Sequence, residues 1–248
     1  MTNIEKLLDY CATYPDAKIL FQASDMILNI HSDASYLCGP QARSRIAGHF
    51  FLGWLPQDHM PIQLNGAIHV ISSYLKFVFA SAAEAELGAV FVNSKEGKVI
   101  SLILHELGHK QPATPIHCDN TTATGIANST VKKQRSRSLE IRYFWIADQV
   151  QRNFFSVHWH PGQEILADYL SKHFPAIHHR RVRPYYIHEN NSPLILPRAP
   201  APKALQGCVG SVPGGYKPSA PLPSLVQSLA PSWTSDLTPA AVATIACH

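Results

Sequence analysis

The sequence predicts an α/β fold, a mixed five-stranded sheet flanked by helices in the order βββαβααβα. Two observations carry that prediction. Three strand-like runs crowd between residues 26 and 73 with Gly, Pro and Asn between them, and beyond them helical and strand periodicities alternate as far as residue 173. A third observation bounds it: composition changes near Arg183, and most of the 19 prolines fall in residues 184–248, which carry only Glu189 and Asp236 as acids. The expected organisation is a connecting helix over 1–25, a folded domain over 26–183 and a disordered Pro-rich tail over 184–248.

Each element has its own signal. Ile4, Leu7, Leu8 and Cys11 have helical spacing and stop before Pro15. Strands are expected from Met26, Gly48 and Ala67, an antiparallel meander. Ser81 followed by Glu84 is a capping-box pattern that opens the longest helix, which runs to His109 unless Gly88 or Gly97 breaks it. Thr114–Cys118 reads as the fourth strand, 122–128 and 138–153 as helices, 154–160 as the fifth strand and 164–173 as the closing helix.

Composition narrows the function classes. With 46% hydrophobic and 15% charged residues the chain can bury one good core. No apolar run reaches the roughly 18 residues of a membrane span, and the N-terminus lacks the basic and apolar blocks of a signal peptide, so an intracellular protein, cytoplasmic or nuclear, is expected. Five scattered cysteines without a CxxC pair read as reduced thiols. The net charge of +4 hides two basic clusters, Lys132-Lys133-Gln-Arg135-Ser-Arg137 and His178–Arg183, that suit a phosphate backbone.

The chemistry lies in four acids, Asp33, Glu86, Asp119 and Asp168, each in an otherwise apolar or small segment at a strand end or helix start. Carboxylates in such company need a partner, and a divalent cation serves. Phosphodiester hydrolysis needs an activated water and a stabilised leaving alkoxide, which two cations about 3.5–4 Å apart supply to an in-line displacement. Hard oxygen donors select magnesium or manganese.

Several short motifs in one order carry a resemblance. They are Leu7-Leu-Asp-Tyr, His31-Ser-Asp33-Ala-Ser-Tyr, Arg43 through Gly53, Asn65-Gly-Ala-Ile, Ser81-Ala-Ala-Glu-Ala-Glu86-Leu, Cys118-Asp119-Asn, Ile141-Arg-Tyr-Phe-Trp-Ile and Leu166-Ala-Asp168-Tyr-Leu-Ser-Lys172. Over residues 4–185 the chain resembles the ribonuclease H domain of copia-type retrotransposon polyproteins. The resemblance implies a ribonuclease H-like fold and an enzyme that cuts the RNA strand of an RNA–DNA hybrid, with four carboxylates around two Mg2+ ions. Asp33 matches the first-strand aspartate, Glu86 the glutamate one turn into the long helix, Asp119 the aspartate after the fourth strand and Asp168 the one opening the last helix. Glu84 competes in its segment, about 200° around the helix from Glu86. His160 resembles a mobile histidine used for proton transfer or product release. Lys132, Lys133, Arg135 and Arg137 are candidates for backbone phosphates, with Arg142 and Lys172 outlying, and Ser35, Asn120 and Thr121 are candidates for reading the 2′-OH. A reverse transcriptase domain is an expected partner.

Two other readings compete. His105-Glu106-Leu-Gly-His109 is a literal HExxH, the zinc site of many metallopeptidases, although Pro112 and Pro115 stand where the extended pattern has Gly and His. The chain could also be a transposon polyprotein fragment that binds nucleic acid without chemistry.

Overall fold

Alternating apolar residues in the first three strand segments are satisfied by a meander. β1 (Ile27–Ser35) pairs antiparallel with β2 (Arg45–Gly53), in register from Ile27 opposite Gly53 to Ser35 opposite Arg45. β2 pairs antiparallel with β3 (Ala67–Tyr74), slipping register between Phe50 and Phe51. The other side of β1 takes β4 (Thr114–Cys118) in parallel, and β4 takes β5 (Phe155–Trp159) in parallel. The sheet order is β3-β2-β1-β4-β5 in this computed structural model, which describes residues 2–56, 62–130 and 137–189. The mixed five-stranded sheet with flanking helices expected from the sequence is present.

Helices cover the sheet as the expected order requires. α1 (Asn3–Thr13) precedes it; α2 (Ala82–Glu106), α3 (Thr121–Ala127) and α4 (Arg137–Gln151) follow β3 and β4. α2 starts where the Ser81 hydroxyl accepts from the Glu84 N–H at 3.2 Å. It is unbroken at Gly88 and Gly97, contrary to the expectation that either residue could interrupt it. The glycines serve approach rather than bending: a Cβ on Gly97 would lie 2.4 Å from Ile30 Cδ1, so the bare backbone lets α2 press on the sheet. Leu28, Ile30 and Phe50 of the sheet bury against Leu87 and Val90 of α2 and Ile146 of α4, each such side chain stabilising by about 1.5–3 kcal/mol.

The opposite face of the sheet departs from expectation. The closing helix predicted over 164–173 is reduced to α5 (Asp168–Ser171), because Ile165, Leu166 and Ala167 turn inward as a plug against Ala47 and Phe51 instead of following helical spacing. A further helix, α6 (Ala176–Val182), occupies the basic run that the sequence suggested as a phosphate cluster. Packing against the domain extends past Arg183. Tyr185 and Tyr186 pack on the Leu64 and Leu166 cluster, and His188 bridges to Lys18, so the fold continues through Glu189. The disorder expected of the tail falls, from residue 190 onward, outside the described residues. Among the described residues no helix is long and apolar enough to cross a membrane.

Candidate metal centre

The parallel pairing of β1 with β4 brings two strand ends side by side, and α2 points its first turns at the same edge. Asp33 leaves β1 fully buried, Glu86 projects from α2 buried, and Asp119 follows directly on β4. These three each offer an oxygen within 4.8 Å of the others'. Among the described residues they are the only such group of acids, histidines and cysteines. Glu86 Oε1 accepts from the Ala34 N–H at 3.2 Å, while its Oε2 is buried without a partner. Glu84 turns away and caps the helix start, accepting from the Ala80 N–H at 3.0 Å.

Asp168, the first residue of α5, lies outside that triplet and reaches it through a lysine. Lys172 Nζ binds the Asp168 carboxylate and stands 3.4 Å from Asp33 Oδ1, while the Ser171 hydroxyl donates to Asp33 Oδ2. A single turn of helix therefore presents three groups to one cleft, an arrangement the i, i+4 spacing of Asp168 and Lys172 already contained.

Electrostatics follow from crowding. Burial, then the neighbouring Asp33 and Asp119, push the Glu86 carboxyl up to about 9. Burial also raises Asp33 to about 6, with Lys172 and Ser171 opposing. Asp119 is raised for the same first reason. Burial works against the charge of Lys172, yet Asp33, Asp168 and Asp119 hold its pKa above the usual lysine range. Such a set, three acids forced together with one oxygen unpartnered, is short of positive charge. It is composed of hard oxygen donors alone, which fits a divalent cation of the magnesium class.

The remaining sequence candidates divide. His160 abuts the cluster through its loop: a Cβ on Gly162 would lie 2.8 Å from Asp119 Oδ2. The imidazole itself packs on His117 and lies 3.6 Å from Glu164, and burial, then His158, lower its pKa to about 4, so it is neutral at pH 7. Asn120 is committed as the cap of α3, accepting from the Ala123 N–H at 3.0 Å, whereas Thr121 is exposed and Ser35 half-buried at the end of β1. Lys132, Lys133 and Arg135 lie outside the described residues, and of Arg137 only its place at the start of α4 is described. Arg142 lies over Phe77, 4.4 Å from the ring centre. The HExxH reading is corrected: α2 ends at Glu106 and Gly108 takes φ +92°, so His105 and His109 do not share a helical face, and both are exposed.

One feature escaped the sequence reading. His49, His31, His117 and His158 stand in register on four adjacent strands, β2, β1, β4 and β5. The first three are buried, and burial lowers each one's pKa, His49 to about 4. His31 and His117 stand two residues before Asp33 and Asp119 in the sequence, but only strand register aligns them with His49 and His158.

Comparison with known proteins finds sequence relatives among retrotransposon polyproteins. The chain is 30% identical over 172 residues to the retrovirus-related Pol polyprotein from transposon RE1 of Arabidopsis thaliana, covering 68% of this chain and 11% of that protein. It is 28% identical over 157 residues to the corresponding polyprotein from transposon TNT 1-94 of Nicotiana tabacum, covering 63% of this chain and 11% of that one. The chain is a homologue of these Pol polyproteins. It spans about a tenth of their length. No protein-family model matches it. Among solved structures, LC11-RNase H1 isolated from compost aligns with a TM-score of 0.43 at 15% identity, over 58% of this chain and 92% of that one. RNase H1 from Halobacterium salinarum aligns with a TM-score of 0.41 at 13% identity, over 58% and 94%.

Proposed function

We propose that this chain is a ribonuclease H, hydrolysing the RNA strand of RNA–DNA hybrids with Mg2+ as its metal. The observation that carries the reading is the convergence of Asp33, Glu86 and Asp119 from three separate elements into one cluster, with Asp168 tied to it by Lys172. Homology to retrovirus-related Pol polyproteins supports it, and one LC11-RNase H1 structure similar to this chain is a complex with an RNA/DNA hybrid.

Asp33, Glu86 and Asp119 would hold the metal, with Asp168 joining when Lys172 releases it. Bound there, the metal would lower the pKa of water and stabilise the departing alkoxide. The chain's own contribution is positioning. Ser171 fixes one Asp33 oxygen, the Ala34 N–H fixes Glu86, and the Trp159 indole N–H donates to the Asp119 carbonyl at 2.8 Å, steadying the loop that carries that acid. Burial of Asp33 and Glu86 keeps bulk water from screening the cluster. His160, neutral beside this loop, would accept a proton during product release. Selectivity for hybrids would come from backbone contacts and the 2′-OH, with Ser35 and Thr121 at the rim. A reverse transcriptase domain is the proposed partner, and the cytoplasm or nucleus the proposed place of action.

The test offers the purified chain labelled RNA in three forms: hybridised to DNA, paired with RNA and single-stranded, with magnesium and with EDTA. Magnesium-dependent loss of RNA from the hybrid alone supports the reading. Equal cutting of all three, or cutting in EDTA, refutes it.

A further inference from the structure

Beyond the carboxylates, residues between Leu64 and Tyr186 enclose a cleft of about 630 Å3 that Asp168 also lines. That volume falls within the roughly 300–1,000 Å3 of small-molecule sites. Its wall is a stack of rings. Phe174 and His178 lie 3.9 Å apart at 16°, and Tyr169 stands 6.2 Å from Phe174, again at 16°. Tyr186 approaches Tyr169 at 5.1 Å and Tyr185 also lines the space. Arg181, on the same helix as His178 and exposed, brings a guanidinium to the edge.

We propose that this cleft takes one unpaired nucleotide of the strand running past Asp168, its base on the Tyr169, Phe174 and His178 rings and its phosphate beside Arg181. The chemistry selects that occupant. Near-parallel aromatic rings offer a face to another flat ring, and stacking of a base on an aromatic side chain contributes about 1–3 kcal/mol whatever the base. A base inside a duplex already has both faces stacked on its neighbours, so only an unpaired one can use the platform. A guanidinium at the rim supplies the charge a phosphate needs. The inference rests on the nuclease reading for the strand's path, since Asp168 belongs to both the cleft and the proposed metal site.

The probe is AMP, compared with ribose 5-phosphate, titrated calorimetrically into the full chain and into Phe174→Ala and Arg181→Ala. Circular dichroism confirms that each variant is folded, and cutting of a hybrid by the unaltered chain is measured alongside. Saturable AMP binding, weaker by roughly tenfold or more without the base or with Phe174→Ala, supports the proposal. Arg181→Ala, at an exposed position, should also weaken AMP if its phosphate lies there. No saturable AMP binding, or AMP affinity unchanged in both variants, overturns it even where the hybrid is cut. AMP bound through these residues with no cutting of the hybrid keeps the cleft as a nucleotide site and removes the nuclease reading alone.

Discussion

Glu86→Gln isolates the electrostatic cost of assembling the cluster. In the folded chain the Glu86 carboxyl titrates at about 9 against an ordinary value of 4.5, because it is buried beside Asp33 and Asp119. The folded state therefore holds a proton that the unfolded chain gives up above pH 4.5, and metal-free stability declines as pH rises from 4.5 toward 9. At pH 7 the interval crossed is 7 − 4.5 = 2.5 units, which at ~1.36 kcal/mol per unit is on the order of 3 kcal/mol. Glutamine does not titrate, keeps the oxygen that accepts from Ala34, and puts an amide where Oε2 has no partner. In EDTA at pH 7 urea denaturation should show Glu86→Gln more stable by up to about 3 kcal/mol, an advantage that shrinks toward zero as pH falls to 4.5. Added magnesium should raise the stability of the original chain and not that of the variant. A variant no more stable in EDTA, or one that still responds to magnesium, refutes the placement of Glu86 in the cluster.

Other perturbations test neighbouring parts. Lys172→Met removes the cation shared by Asp33 and Asp168; in EDTA it should cost about 1 kcal/mol, since the side chain is 36% exposed, and it should lower the magnesium concentration for half-maximal cutting. An unchanged half-saturation point would show that Lys172 and the metal do not compete. The histidines predict an acid limb: burial holds the folded pKa values of His31, His49 and His117 below the ordinary 6.5, so their contribution is complete above pH 6.5 and is lost progressively as pH falls below it. Urea denaturation at pH 7 and pH 5 should show the loss, and His49→Phe should lessen it. Gly97→Ala places a methyl 2.4 Å from Ile30 Cδ1 and should destabilise by about 1–3 kcal/mol, measured by thermal unfolding; a neutral result would mean that the Ile30 terminal methyl turns aside without cost and that the glycine is not needed for close approach.

The sequence disclosed the sheet better than the far face. Strands β1 to β5 alternate or cluster β-branched and aromatic residues, and Thr114–Cys118 was bounded by its own turn residues. The length of α2 was legible from its cap, but not its continuity, because a glycine that allows close packing looks in sequence like a glycine that breaks a helix. α6 was hidden since Ala176–Val182 has no apolar stripe and its basic residues suggested only charge. At the site, the placement of Asp33, Glu86 and Asp119 follows from elements whose ends the sequence marked. The role of Ser171 and the link from Lys172 to Asp33 depend on how the 165–167 plug lowers α5 onto β1, and no local signal encodes a fold-back of that kind.

Asp119→Asn tests whether these carboxylates hold the metal that RNA cleavage in a hybrid requires. Asp119 is the least buried of the triplet, so the substitution removes a ligand charge while sparing the core. Cutting of a labelled RNA–DNA hybrid in magnesium is measured for both proteins, with folding checked by circular dichroism. Magnesium-dependent cutting by the original chain and its abolition in a folded variant is the predicted result. Equal cutting by the two proteins would show that Asp119 does not hold the metal.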